Sequence, residues 1–130
     1  MADLLKKTLY LVDGTALMYR GYFAFLKNPL INSKGENTST AFAFTNALLS
    51  LIRDRAPDCL AIAFDTGKPT FRHTMYDKYK ATRQKMPEEL ILQVPRVREV
   101  VDALGLPALE LEGYEADDVI GTIAVRAALQ

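Results

Sequence analysis

An α/β fold with a mainly parallel sheet flanked by helices is what this sequence predicts, and three observations carry the prediction. Thr8-Leu9-Tyr10-Leu11-Val12 and Cys59-Leu60-Ala61-Ile62-Ala63-Phe64 are short, nearly continuous apolar runs, each closing on an aspartate, Asp13 or Asp65. Runs of that length and composition read as strands buried on both faces. Between them, Phe42, Phe44, Ala47, Leu48, Leu51 and Ile52 recur at helical spacing, and a crossover helix is what two parallel strands require. No internal repeat or low-complexity tract interrupts the pattern.

The elements follow in order. After the first strand, Ala16 to Leu26 is an aromatic-rich helix, and Asn28 to Asn37 carries the turn residues of an exposed loop. The crossover helix runs from Thr40 to Arg53, with Thr38, Ser39 or Thr40 available as its cap. Beyond the second strand, Pro87 to Leu104 is expected to be helical with a kink or break near Pro95, stopped by Gly105. Pro107 to Leu111 is a short third strand. Tyr114 to Leu129 is a last helix with Val119, Ile120, Ile123, Ala124 and Ala127 on one face.

Composition bounds the function classes. With 130 residues, 49% hydrophobic and 25% charged, the chain suits one globular domain covering residues 1–130. It has no signal-like or membrane-spanning apolar stretch, so the expected location is the cytoplasm, with no membrane partner. A single cysteine, Cys59, excludes intrachain disulfides and multi-cysteine metal sites; inside its apolar run it is expected to be a small buried hydrophobe. The single histidine, His73, rules out a multi-histidine centre.

Sixteen Lys and Arg balance sixteen Asp and Glu, so net charge argues for no polyanion. Their distribution says more. Lys68, Arg72, Lys78, Lys80, Arg83 and Lys85 face only Asp77, whereas beyond Met86 nine acids face only Arg96, Arg98 and Arg126. That segregation suits phosphate binding beside a metal site.

In a parallel sheet Asp13 and Asp65 emerge at the same carboxyl edge, where open α/β folds bind ligands. Glu112, Glu115, Asp117 and Asp118 follow the third strand and open the last helix near that crevice. A lone aspartate after a strand is most often a turn or cap residue, and acids suit a first helical turn. Several acids gathered together repel and raise one another's pKa, and stay ionised only beside cations. Carboxylate ligands without histidine or thiolate are the preference of Mg²⁺ or Mn²⁺. The segment from Phe71 to Lys85, with Arg72, Lys78, Tyr79, Lys80, Arg83 and Lys85, interleaves cations and rings as a single-strand grip does. Beside an acidic metal site, Lys80 and Arg83 are placed to neutralise charge developing on a phosphate.

These words together resemble the flap endonuclease family, with its PIN-like (Rossmann-like) three-layer fold, in the form of the 5′ nuclease domain of bacterial DNA polymerase I. The words are Leu11-Val12-Asp13-Gly14, Phe64-Asp65 followed by Phe71-Arg72-His73, Tyr79-Lys80-Ala81-Thr82-Arg83, and Gly113-Tyr114-Glu115-Ala116-Asp117-Asp118. The last is the most specific, and order and spacing agree over essentially the whole chain. The resemblance implies that Asp13, Asp65, Glu115, Asp117 and Asp118 are metal-site acids holding a pair of Mg²⁺ or Mn²⁺ ions, and that Lys80 and Arg83 belong to an arch above the scissile phosphate. Glu112 falls outside the matching word. It also implies cleavage near the junction of a 5′ flap and duplex, with a metal-activated water releasing a 5′-phosphate. The DNA partners are then a 5′ flap, a nick or a single-stranded 5′ end, in primer removal and repair, with a polymerase covalently following.

The family continues into a further aspartate-bearing strand and a helix-hairpin-helix, so by resemblance the domain is C-terminally incomplete and the chain alone is expected to cleave weakly or not at all. The rival is a module that only binds branched DNA. An aspartyl-phosphate phosphatase would need its nucleophile where Leu11 stands, and a nucleotide loop at Gly67-Lys68 lacks its Ser or Thr at Pro69 and its glycine at Ile62.

Overall fold

The computed structural model describes residues 6–68, 70–76 and 85–129. Three parallel strands, β1 (Leu9–Asp13), β2 (Cys59–Ala63) and β3 (Ala108–Leu109), lie in the order β1-β2-β3. Leu9 pairs with Cys59 and Asp13 with Ala63. Because the register starts both long strands level, Asp13 and the residues just past Ala63 reach the carboxyl edge together.

Helix α1 (Gly14–Ala24) leaves β1 without a loop, and α2 (Ser39–Arg55) forms the crossover to β2. Short α3 (Phe71–Met75), α4 (Glu88–Ile91) and α5 (Val94–Ala103) follow, and α6 (Ala116–Ala128) comes last. The expected break near Pro95 separates α4 from α5, with the proline in the first turn of α5, where its missing N–H costs nothing. Gly105 ends α5 with φ at +70°, and the Gly105 and Leu106 N–H groups donate to Asp102 and Val101 carbonyls, a Schellman stop.

Alternation along β2 makes two buried faces. Leu60, Ile62 and Phe64 join Met18 and Tyr22 of α1, Phe44 and Leu48 of α2, Leu90 of α4, and Val97 and Val101 of α5 in one core. Ala61 and Ala63 are also buried, and α6 is in contact with β1 and β2. Buried Gln93 joins the two helical units: its side-chain oxygen accepts the Thr40 N–H at 2.9 Å, and its nitrogen donates to the Glu89 carbonyl at 3.0 Å.

Two sequence expectations are corrected. Cys59 is exposed, because it opens β2 at the amino edge, where the core cover begins only at Leu60. The apolar face of α6 is also incompletely covered. Ala116 is buried and Val119, Ile120 and Ile123 are half-buried, but Ala124 and Ala127 are exposed as cover fades along the helix. Of the three cap candidates Thr38 is the N-cap of α2, though it makes no side-chain cap bond; Asn37 Oδ1 accepts the Ser39 N–H at 3.0 Å instead. Among the described residues no helix is long and apolar enough to cross a membrane.

Candidate metal centre and nucleic-acid interface

Asp13 is both the last residue of β1 and the N-cap of α1, its Oδ1 accepting the Ala16 N–H at 3.0 Å. The strand can turn straight into the helix because Gly14 follows. A Cβ there would stand 2.7 Å from Ile62 Cγ2 and from Phe64 Cε1, closer than carbon atoms approach. The next residue, Thr15, accepts the Asp65 N–H on its hydroxyl at 2.9 Å and so ties the two strand ends together. Asp65 in turn receives the Ala116 N–H on Oδ1 at 2.7 Å, which seats the start of α6 against β2.

That seating brings Asp117 onto Asp13. Burial, foremost, pushes the Asp13 carboxyl above its ordinary value. A hydrogen bond with Asp117, repulsion from Asp117 and repulsion from Asp65 add to the rise, while the Ala16 N–H opposes it. Acids crowded together in this way disfavour one another's ionised forms.

Glu115 and Asp118 lie one step away and are engaged differently. Arg72 of α3 donates from Nη2 to Asp118 Oδ1 at 2.7 Å, and from Nη1 to Asp118 Oδ2 at 2.9 Å and to Glu115 Oε2 at 3.2 Å. Asp118 Oδ2 also accepts the Glu115 N–H at 2.9 Å, one half of a capping box at the α6 N-terminus. The five acids thus form two groups: Asp13, Asp65 and Asp117, repelling, and Glu115 and Asp118, paired with Arg72. Among the described residues no group of three or more His, Cys, Asp or Glu side chains stands close enough to hold a metal ion as the side chains lie.

The donor set nonetheless fits a hard divalent cation. All five groups are carboxylates, and the charge around Asp13 is uncompensated by any described base in contact with it. Asp13, Asp65 and Asp117 are the residues that would hold such an ion. Glu112 pairs with Lys68 at 3.5 Å, both exposed.

Of the expected DNA contacts, Lys85 is exposed and Arg72 is turned toward Glu115 and Asp118. Lys78, Tyr79, Lys80 and Arg83 lie outside the described residues. Sequence reasoning missed two structural roles. Nothing local marked the Thr15 hydroxyl as the tie to Asp65, 50 positions away, or Arg72 as the partner of acids 43 and 46 positions away.

Residues 8–130 match the family described as "5′-3′ exonuclease, N-terminal resolvase-like domain". The chain is 46% identical over 124 residues to DNA polymerase I of Bacillus caldotenax, covering 95% of this chain and 14% of that protein. It is 43% identical over 118 residues to the 5′-3′ exonuclease of Aquifex aeolicus, covering 91% of this chain and 40% of that one. Two solved bacteriophage T5 structures share the fold. A 5′-exonuclease with zinc bound has a TM-score of 0.63, and a flap endonuclease in a pseudo-enzyme–product complex with DNA and metal ions has 0.60; each is 25% identical, covering 88% of this chain and 42% of its own.

Proposed function

This chain belongs to the family of 5′-3′ exonuclease N-terminal, resolvase-like domains, and from that membership we propose that it serves a structure-specific 5′ nuclease that hydrolyses phosphodiester bonds at 5′ ends or flaps of DNA. One observation carries the reading: Asp13, Asp65 and Asp117, from the ends of β1 and β2 and the start of α6, are drawn to the carboxyl edge of the sheet, where Asp117 and Asp65 repel Asp13. The DNA and metal ions named for the T5 flap endonuclease support it, as do the DNA polymerase I relatives, of which this chain spans a small part.

Asp13, Asp65 and Asp117 would hold Mg²⁺ or Mn²⁺, two ions when Glu115 and Asp118 take part. Bound there, the ions supply Lewis-acid polarisation of a phosphate and activation of water. The chain's own residues do the rest. Thr15 and the Ala116 N–H hold Asp65 in place, and Gly14 lets Asp13 sit against β2. Lys80 and Arg83 would neutralise the phosphate, as the family resemblance implies, while Lys78, Tyr79 and Lys85 grip the strand, joined by Arg72 only when it leaves Glu115 and Asp118. The setting is cytoplasmic primer removal and excision repair, in concert with a polymerase.

A second reading, a module that binds branched DNA without cutting it, is favoured by the pairing of Glu115 and Asp118 with Arg72. A 5′-labelled flap duplex separates the two. Product that needs Mg²⁺ and vanishes with EDTA or in Asp13→Asn supports the nuclease. Binding without product at any metal concentration supports the binder, and absence of both overturns each.

A further inference from the structure

The sequence sets Arg72 among the cations that grip phosphate, yet its guanidinium meets carboxylates. We infer that Arg72 is the resident counter-ion of Glu115 and Asp118, a positioning residue that a divalent cation must displace before those two acids can join the metal site. The inference rests on the reading of this rim as a metal centre.

The first argument is one of lone pairs. The guanidinium fork covers both oxygens of Asp118 and reaches Oε2 of Glu115, at 2.7 to 3.2 Å. Those are the atoms a metal would need, so the two occupants exclude each other. A two-armed arginine–carboxylate contact is among the stronger charge-assisted pairs and competes effectively. The second argument is burial. The side chains of Glu115 and Asp118 are only 11% and 20% exposed, and ionised carboxylates so placed require a positive partner. Among the described residues, Arg72 is such a partner for both.

The third argument is placement. The Phe71 N–H donates to the Gly113 carbonyl at 2.9 Å, which fastens the start of α3 to the loop leading into α6. Arg72 lies over the Phe71 ring at 4.5 Å, and that ring rests against Tyr114 at 5.6 Å. The arginine is therefore mounted on the same small unit as the acids it neutralises. Its own side chain is 34% exposed, which leaves it a way out toward solvent or a phosphate when a metal takes its place.

Calorimetric titration of the chain with Mn²⁺, together with melting curves in EDTA, tests this. Arg72→Gln is expected to bind Mn²⁺ about tenfold more tightly than the parent, because the competent state no longer has to be freed, and to melt lower in EDTA. Arg72→Lys, which keeps the charge but loses the fork, is expected to fall between the two, and it decides the matter alone should Arg72→Gln not fold. A residue that only supported the fold would never tighten metal binding when removed. Unchanged or weaker Mn²⁺ binding in the folded variant overturns the inference while the metal centre stands, as long as the parent binds and Asp13→Asn binds less. Failure of parent and variants alike to bind Mn²⁺ overturns the metal centre and the inference together.

Discussion

Two aspartates at opposite ends of the paired strands β1 and β2 live under opposite conditions. At the amino edge, Asp58 accepts the Thr8 N–H at 2.7 Å and the Thr8 hydroxyl at 3.2 Å. Those bonds hold its carboxyl below the ordinary range, so the ionised form helps join the two strands. At the carboxyl edge, Asp13 is pushed above its ordinary value by burial and by Asp117 and Asp65. Its ionised form costs the fold stability. The same residue type, a strand's length apart, is therefore satisfied by the protein at one edge and left wanting at the other. A rim of mutually repelling acids is one that a cation from outside would stabilise, which is what the proposed metal centre requires.

The largest expected effect comes from Asp117→Asn. Loss of a direct ligand should cost at least what loss of a supporting group does, about a hundredfold in Mg²⁺-dependent cleavage wherever the nuclease is active. The same change removes the main charge facing Asp13, so the metal-free variant should melt above the parent. An unchanged rate, or a lower melting point in EDTA, breaks the contrast between the two edges.

Gly14→Ala probes the packing that sets Asp13 in place. The new methyl would press on the buried Ile62 and Phe64, and overpacking of this kind costs about 1–3 kcal/mol. Urea unfolding reads this directly, and an unmoved midpoint would mean that the turn from β1 into α1 has more room than the contacts indicate.

The smallest effects are in pH dependence, and their signs oppose. Asp58, with its lowered pKa, contributes stability that is present above its unfolded value and is lost as pH falls through its folded value. Asp13, with its raised pKa, works against the metal-free fold when ionised, and that penalty is relieved as pH falls through its folded value. Urea midpoints across the acid range should thus fall less steeply in Asp58→Asn than in the parent, and more steeply in Asp13→Asn. Parallel profiles for both variants would erase the distinction.

Much of this was legible in the chain itself. Both apolar runs form strands, β2 buried from Leu60 onward but β1 only half-buried, and the aspartate closing each run had to reach the carboxyl edge once the strands were parallel. Gly105 marked its helix stop because only a positive φ allows the Schellman turn. What stayed hidden depended on distance rather than residue type. An arginine serves phosphate and carboxylate equally well, so the partners of Arg72 are set by the loop through Gly113 that folds α3 against α6. Cys59 looked buried because its run is apolar, but as the first residue of β2 it lies at the amino edge and is exposed. The raised pKa of Asp13 follows in part from its contact with Asp117 across 104 positions, which no local pattern encodes.

Anomalous diffraction from crystals soaked in Mn²⁺ tests the central claim most directly. The account predicts a manganese peak at the carboxyl edge, bounded by Asp13, Asp65 and Asp117, with the hydrogen bond between Asp13 and Asp117 broken. Manganese bound elsewhere, with that bond intact and the edge without a peak, would contradict it.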